Sequence, residues 1–312
     1  MPIEPQLKRS QNERADFSAP DCRMQVRTLP ALRGAFWLAA GFLLYRRNAP
    51  LLSMLTFANL ILALLCSQLQ PFGPLLLILA SPLFITLIAN ACVAIERHGQ
   101  RQLAPQMLTR NLRERGGQLL RLGLLQAFCM MLVVVLADRL LPGIDPAMLA
   151  TVREAAEATE TADRAGRAAI ALDAGELGKL FLHLGVIGLI VLPTFWFAPL
   201  LTAWHGATPL KSAFFSLVAV WRNWRAFLVY AVSAALLAVL LPALLMSLFS
   251  LVSATLGSLV SSVLQLLVLL VGAPILATGT YCSYRDIFAT ADTAPAAPAD
   301  NGSGGTRIST DA

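Results

Sequence analysis

The chain has 312 residues, of which 57% are hydrophobic and 13% charged, about half the ~25% charged share of ordinary soluble domains. A water-soluble protein of this length needs far more polar surface to cover its core, so that class is excluded. The net charge of +6 does not point to nucleic acid, because the cations flank apolar runs, as the loops of a membrane protein do.

Residues 1–28 read as a disordered cytoplasmic tail. They lack the apolar core of a cleavable signal peptide, and Met24 offers a second start that the intact mass of the native protein would distinguish from Met1. Beyond the tail, residues 48–95 contain no charged side chain, and neither do residues 226–284. Each run is too long for one helical crossing of a ~30 Å hydrocarbon core, which takes roughly 20 residues, and suits two. Six crossings follow: Leu51 to Leu69, Leu75 to Ile95, Leu119 or Leu122 to Leu141, about Leu180 to Trp204, about Ala226 to Phe249 and about Leu259 to Cys282. The turn between the last two falls within Ser247 to Ser262, where neither charge nor proline marks it. The expected fold class is an all-α polytopic membrane protein with its membrane domain at 29–288, an external helical insertion at 137–179 and a second disordered tail at 289–312.

Orientation follows from Lys and Arg. Lys8 to Arg47 before the first crossing, Arg97 to Arg121 after the second, and Lys211, Arg222 and Arg225 after the fourth all lie on one side. On the other side the hairpin turns carry none, and acidic residues outnumber basic ones eight to five in the loop from Asp138 to Lys179. The positive-inside rule then puts both termini in the cytoplasm. Trp37, Tyr45, Trp204, Trp221, Trp224, Tyr230, Tyr281 and Tyr284 fall near the same side, where amphipathic rings favour the headgroup level; Trp196, mid-span, is the exception.

A threefold pattern underlies the crossings. Pro30, Pro105 and Pro209 each open a helical stretch, and Arg46, Arg121 and Arg225 follow each sixteen residues later. Proline suits a first helical turn because its missing N–H is unpaired there anyway. In the third stretch Leu210, Ala213, Phe214, Leu217, Val220, Trp221 and Trp224 form an apolar stripe opposite Lys211, Ser212, Ser216, Arg222 and Asn223. The second sets Leu108, Leu112 and Leu119 against Arg110, Arg113, Glu114 and Arg115; the first sets Leu32, Phe36, Ala39 and Leu43 against Arg33. Each even-numbered crossing carries a small residue, a proline and an aliphatic one: Ser81-Pro82-Leu83, Ala198-Pro199-Leu200 and Ala273-Pro274-Ile275. The unit is a surface helix, a crossing and a crossing kinked at Pro82, Pro199 or Pro274, used three times.

Three features give the chain a resemblance to a known group: Gly34-Ala35-Phe36-Trp37 with Tyr45-Arg46-Arg47, the repeated proline triplets, and the closing run Tyr281 to Phe288. From about Leu29 to Phe288 it resembles a poorly characterised family of bacterial six-helix inner-membrane proteins, loosely similar to the membrane domain attached to some glycerophosphodiester phosphodiesterases. The resemblance implies location and fold, and carries no catalytic residue.

Away from the ends of the third, where Arg121, Asp138 and Arg139 fall, the proposed spans hold no Asp, Glu, Lys or Arg, which proton-coupled carriers and pumps need at mid-depth. Asn59, Asn90, Gln126 and Gln265 read as hydrogen-bonding glue between helices. His183 and His205 lie at opposite ends of one span, His98 lies in a loop, and no HExxH, Ser/His pair or phosphate-binding Gly-rich loop occurs. Cys66, Cys92, Cys129 and Cys282 sit in apolar segments, read as small hydrophobes, and Cys22 sits in the tail. In the insertion Asp145 is placed to cap a helix opened by Pro146, continuing through Met148 to Ala171. No catalytic, metal or cofactor site is expected. The candidate functional residues are the cations Arg46, Arg47, Arg110, Arg113, Arg115, Arg121, Lys211, Arg222 and Arg225, placed to touch anionic lipid. The expected role is a non-enzymatic organiser of lipids or partner proteins at the inner leaflet, and the alternative is a transporter or channel for an uncharged or lipidic solute.

Overall fold

The computed structural model describes residues 26–99, 105–109, 111–143 and 174–288. The two tails, most of the insertion (144–173) and Arg110 lie outside the described residues. Thr28–Ile287 forms one compact helical unit, and six of its helical stretches are long and apolar enough to cross a membrane. The protein is a multi-pass helical membrane protein.

Helix α1 (Arg33–Arg47) leads into the first hairpin, α2 (Ala49–Ser67) and α3 (Gly73–His98). Asn48 joins α1 to α2 and caps α2, its side chain accepting from the Leu51 N–H at 3.3 Å, with Pro50 in the first turn. Between α2 and α3, a Cβ on Gly73 would strike the Cys66 carbonyl, so that turn admits only glycine. A single turn, α4 (Pro105–Leu108), precedes α5 (Leu112–Leu140). Asn111 adopts φ +65° before α5, a left-handed conformation that Asn tolerates better than most residues. Next come α6 (Ala174–Phe195), α7 (Ala198–His205) and α8 (Pro209–Arg222). The last hairpin runs through α9 (Trp224–Ala235), a π-helical turn π1 (Leu236–Leu240) and α10 (Leu241–Val252), then α11 (Ala254–Leu267), π2 (Val268–Gly272) and α12 (Ala273–Ile287).

Three expectations need correction. The second surface stretch is not a separate helix: Asn111 interrupts it after one turn, and Leu112 to Leu140 continues unbroken, so the third crossing starts well before Leu119. The fourth crossing is broken, not bent. It stops at Phe195 and restarts at Ala198, and Pro199 sits in the first turn of the new helix, where it costs nothing. Pro82 does lie inside continuous α3, while Pro274 is the second residue of α12, just after π2. The third correction concerns the stripe of α8, which is split. Leu210, Phe214, Leu217 and Trp221 face outward, but Ala213 and Val220 of the same stripe are buried together with Ser212 and Ser216, read as the opposite face; Phe36 and Leu43 of α1, and Leu32 before it, also face outward. Beside hydrocarbon this is the favourable sense, because bulky apolar groups gain nothing by leaving lipid, whereas small and hydroxyl-bearing residues let backbones approach and bond. The turn between the last two crossings lies at Ser253.

Packing follows the repeat. Helix α1 lies on α9 and α12, crossings of the third copy; α8 lies on α5, α6 and α7, crossings of the second; the single turn α4 lies on α3 of the first. Each surface element thus covers the crossings of the copy before it, and the arrangement closes on itself. Contact is close at the seam: a Cβ on Gly34 would strike the Ala226 carbonyl, and one on Gly41 would meet Ile275 and Gly279. Across that seam the Thr278 hydroxyl donates to the Gly41 carbonyl at 3.0 Å.

The proline-freed and broken backbone is repaired by serines. Pro82 leaves the Ile78 carbonyl without its helical donor, and the Ser81 hydroxyl takes it at 2.9 Å. Pro274 likewise frees the Leu270 carbonyl, which accepts from Ser53 of α2 at 3.0 Å. At the break in the fourth crossing the Ser216 hydroxyl accepts from the Phe197 N–H at 2.9 Å and donates to the Pro193 carbonyl at 2.8 Å. Removing such a hydroxyl orphans buried groups at ~1–3 kcal/mol. Ser216→Ala is therefore expected to lower the thermal midpoint of the detergent-purified protein well below that of Ser250→Ala, whose exposed hydroxyl donates to the Ser247 carbonyl of its own helix.

Candidate lipid-facing site

The core gathers where the C-terminal halves of α3, α7 and α12 meet. Ala91, Cys92 and Ile95 of α3, Ala198 to Ala203 of α7, and Thr278 and Ile287 of α12 are essentially inaccessible. Aromatic rings hold the three together. Trp204 meets Tyr284 at 5.1 Å and Tyr281 at 6.2 Å, and Phe197 meets Tyr284 at 5.8 Å. The Trp204 indole donates to Asn90 Oδ1 at 2.9 Å, and the Asn90 amide donates to the Leu108 carbonyl, tying α4 to α3. Most of the aromatics expected at headgroup level are thus internal: Trp37, Tyr45, Tyr230, Tyr281 and Tyr284 are all buried, and Trp221 and Trp224 remain outside. Stacking in this junction claims Trp204, Tyr281 and Tyr284, while Trp37 packs on Phe227 and Tyr230 and the Tyr45 hydroxyl bonds Ser53.

Two carboxylates close the same end. Glu96 of α3 accepts from the Tyr281 hydroxyl at 2.7 Å and pairs with Arg285, both on α12. Asp286 accepts from the Trp37 indole at 3.0 Å and lies 3.4 Å from Arg33, both on α1. His205 and Tyr284 are joined at 2.6 Å, whereas the His183 ring bonds the Lys179 carbonyl far along α6. Asn223, 2% exposed, accepts from the Leu29 N–H at 2.8 Å and donates to the Ala219 carbonyl, anchoring the chain that enters α1. Sequence reading missed Glu96 and Asp286 as a pair of locks. Their signal was position: each acid lies in the last turn of its helix, Asp286 directly beside Arg285.

Among the described residues, the cations are spread over the surface at this end and form no single pocket. Arg46 ends α1 with its guanidinium 5.7 Å from the Phe42 ring, and Arg47 is exposed beside it. Arg113 is exposed in the first turn of α5, and Arg121 is exposed further along that helix. Arg115 is half-buried, its guanidinium packed where a Cβ on Gly206 would sit, at the left-handed cap of α7; a cation there complements the helix C-terminus. Lys211 reaches Phe215, and Arg225 lies 5.5 Å from the Trp224 ring, with Arg222 exposed nearby.

Two apolar grooves open on the exterior. One, about 490 Å³, lies between α1, α9 and the π2–α12 turn, and its lining includes Ala35, Phe42, Leu237 and Gly272. The other, about 620 Å³, lies between α6, α8 and α9 and is walled by Trp196, Trp221, Trp224 and Phe227. A smaller chamber of about 240 Å³ lies between α3, α5, α6 and α12. Ile85 and Ala277 line it three residues after Pro82 and Pro274, and Ile88 and Thr280 six residues after them, so repeat-related positions meet there together with Gln126 and Trp196.

Among known proteins, the chain is similar to a protein of Burkholderia thailandensis named as a probable inner membrane protein, 29% identical over 204 residues, 64% of this chain and 71% of that one. No protein-family model matches the chain. No solved structure matches it.

The lock between α3 and α12 makes a measurable claim. Glu96→Gln and Arg285→Gln should each lower thermal stability, and the double variant should lose less than the sum, with a coupling of ~0.5–3 kcal/mol.

Proposed function

We propose that the protein is a non-enzymatic organiser of anionic lipid, or of partner proteins, at the cytoplasmic leaflet of a bacterial inner membrane, with both termini in the cytoplasm. The observation that carries this is the posture of α8: bulky apolar side chains face outward beside exposed Lys211 and Arg222, while its serines are used internally. An apolar outer face edged with cations is what an interfacial helix presents to headgroups and acyl chains. Helix α1 repeats the posture, with Leu32, Phe36 and Leu43 outward and Arg46 and Arg47 at its end. The cation distribution and the named relative in Burkholderia support the location. The resemblance to the membrane domain of glycerophosphodiester phosphodiesterases supplies no catalytic group, so no activity is assigned; turnover of a lipid phosphodiester by the pure protein would overturn that part.

Each cation near an anionic surface is worth ~1 kcal/mol at low salt, about fivefold in affinity. The purified protein is therefore expected to bind phosphatidylglycerol over phosphatidylcholine, with a preference that fades as salt rises and weakens when Lys211, Arg222 and Arg225 are changed to Gln. Equal binding of the two lipids at low salt refutes the proposal.

A second reading, a path for an uncharged or lipidic solute, is favoured by the 240 Å³ chamber where repeat-related positions converge. If the chamber conducts, proteoliposomes carrying Ala at Pro82, Pro199 and Pro274 will pass glycerol at an altered rate. Unchanged flux with intact folding removes this reading.

A further inference from the structure

Among the described residues, Trp196 Nε1 is the one buried side-chain nitrogen or oxygen without a hydrogen-bond partner. Its ring sits at the break in the fourth crossing, edge-on to Phe227 at 5.6 Å and to Tyr230 at 6.1 Å. The Tyr230 hydroxyl is already spent on the Leu276 carbonyl at 3.0 Å and offers the indole nothing. A buried N–H with no acceptor is costly, and this one belongs to a residue that walls the 620 Å³ groove between α6, α8 and α9. That volume is within the ~300–1,000 Å³ of ordinary ligand sites. Its other lining is aliphatic and aromatic, and it opens sideways from membrane-spanning helices.

We propose that this groove holds one acyl chain of an anionic phospholipid, whose phosphate rests on Arg225 and whose ester oxygen accepts from the Trp196 indole once the ring turns its sealed N–H toward the groove. The surroundings favour this occupant over a soluble ligand or a peptide. The groove is reached from hydrocarbon, where acyl chains are the available apolar molecules, and a glycerol ester carries a carbonyl just below its phosphate. At the mouth, Arg225 lies against the Trp224 ring, and Trp224 itself lines the groove. The same device recurs at the second groove, where Arg46 lies against Phe42 of the lining. Arg46 and Arg225 both stand sixteen residues after the proline that opens their stretch, so the repeat sets a cation on an aromatic rim in two of its copies. The 490 Å³ groove has no unpartnered buried donor among the described residues, which singles out the Trp196 groove as the selective one.

The proposal rests on the lipid reading above and names its site. Its test separates the two. Full-length protein in mild detergent, exchanged repeatedly to strip loose lipid and then given phosphatidylglycerol, is examined by native mass spectrometry. The wild type is expected to keep one phosphatidylglycerol. Gly188→Phe fills the groove from a position whose only near neighbour is a Leu192 methyl at 3.7 Å, and it should lower that occupancy at least tenfold. Trp196→Phe keeps an aromatic ring, removes the N–H and should lower occupancy about two- to tenfold; Arg225→Gln should do the same for phosphatidylglycerol and leave phosphatidylcholine unaffected. The general preference for anionic lipid, carried by many cations, should survive in Gly188→Phe. Wild-type retention in both Gly188→Phe and Trp196→Phe, with unchanged thermal midpoints, overturns the site even where the general preference stands. If Gly188→Phe fails to fold, Trp196→Phe decides alone. Equal retention of the two lipids by the wild type overturns the Arg225 contact.

Discussion

Inside hydrocarbon no water is available to a backbone carbonyl or N–H, so every irregularity in a crossing must find its partner within the protein. That constraint organises this molecule. Its even-numbered crossings carry prolines, and the backbone groups left by those prolines and by the 195–198 break are met by three serine hydroxyls, one from the same helix, one from a neighbouring crossing and one from a surface helix. The serines also fix relative position. Ser53 bonds a carbonyl of the sixth crossing only if the first lies beside it, and Ser216 bridges both sides of the broken fourth crossing only if α8 is seated. Repair of the backbone and assembly of the bundle are one event.

The same logic explains which parts of the fold were legible in the sequence. Crossings, hairpins and the repeat were readable because charge gaps and proline spacing are properties of the chain itself. Side-chain direction was not, because an amphipathic pattern does not say which face meets lipid; α8 sends the bulky members of its stripe outward and buries Ala213 and Val220 of the same stripe with Ser212 and Ser216. The break before Pro199 was misplaced for a related reason. A proline in an apolar run signals a disturbance, but whether it sits inside a bent helix, as Pro82 does, or just past a gap, as Pro199 does, depends on a partner such as Ser216 that lies 23 residues from the carbonyl it serves.

The candidate site was legible in part. The cations were visible as runs flanking the spans, and the structure spreads them over one end of the bundle, with Arg225 and Arg46 on aromatic rings. The grooves beneath them were not, since each is made by helices from different copies. Trp196 stood out in sequence only as an aromatic residue at the wrong depth. Its meaning came from geometry: a polar atom sealed among apolar rings. Conversely, Trp204, Tyr281 and Tyr284, which position alone assigned to the headgroups, proved to be the bolts of the internal junction.

The way α1 is lodged against α9 and α12, with Arg33 and Trp37 on Asp286, bears on biogenesis. A polypeptide emerges from the ribosome N-terminus first, so α1 is the earliest described helix to appear, yet its berth is built from the last crossings to be inserted. It must wait at the bilayer surface through synthesis of nearly the whole chain before the circle shuts. The opening segment of this protein is the keystone of its final third, and a permuted chain that begins at α2 and appends α1 after α12 would meet the same neighbours without the delay.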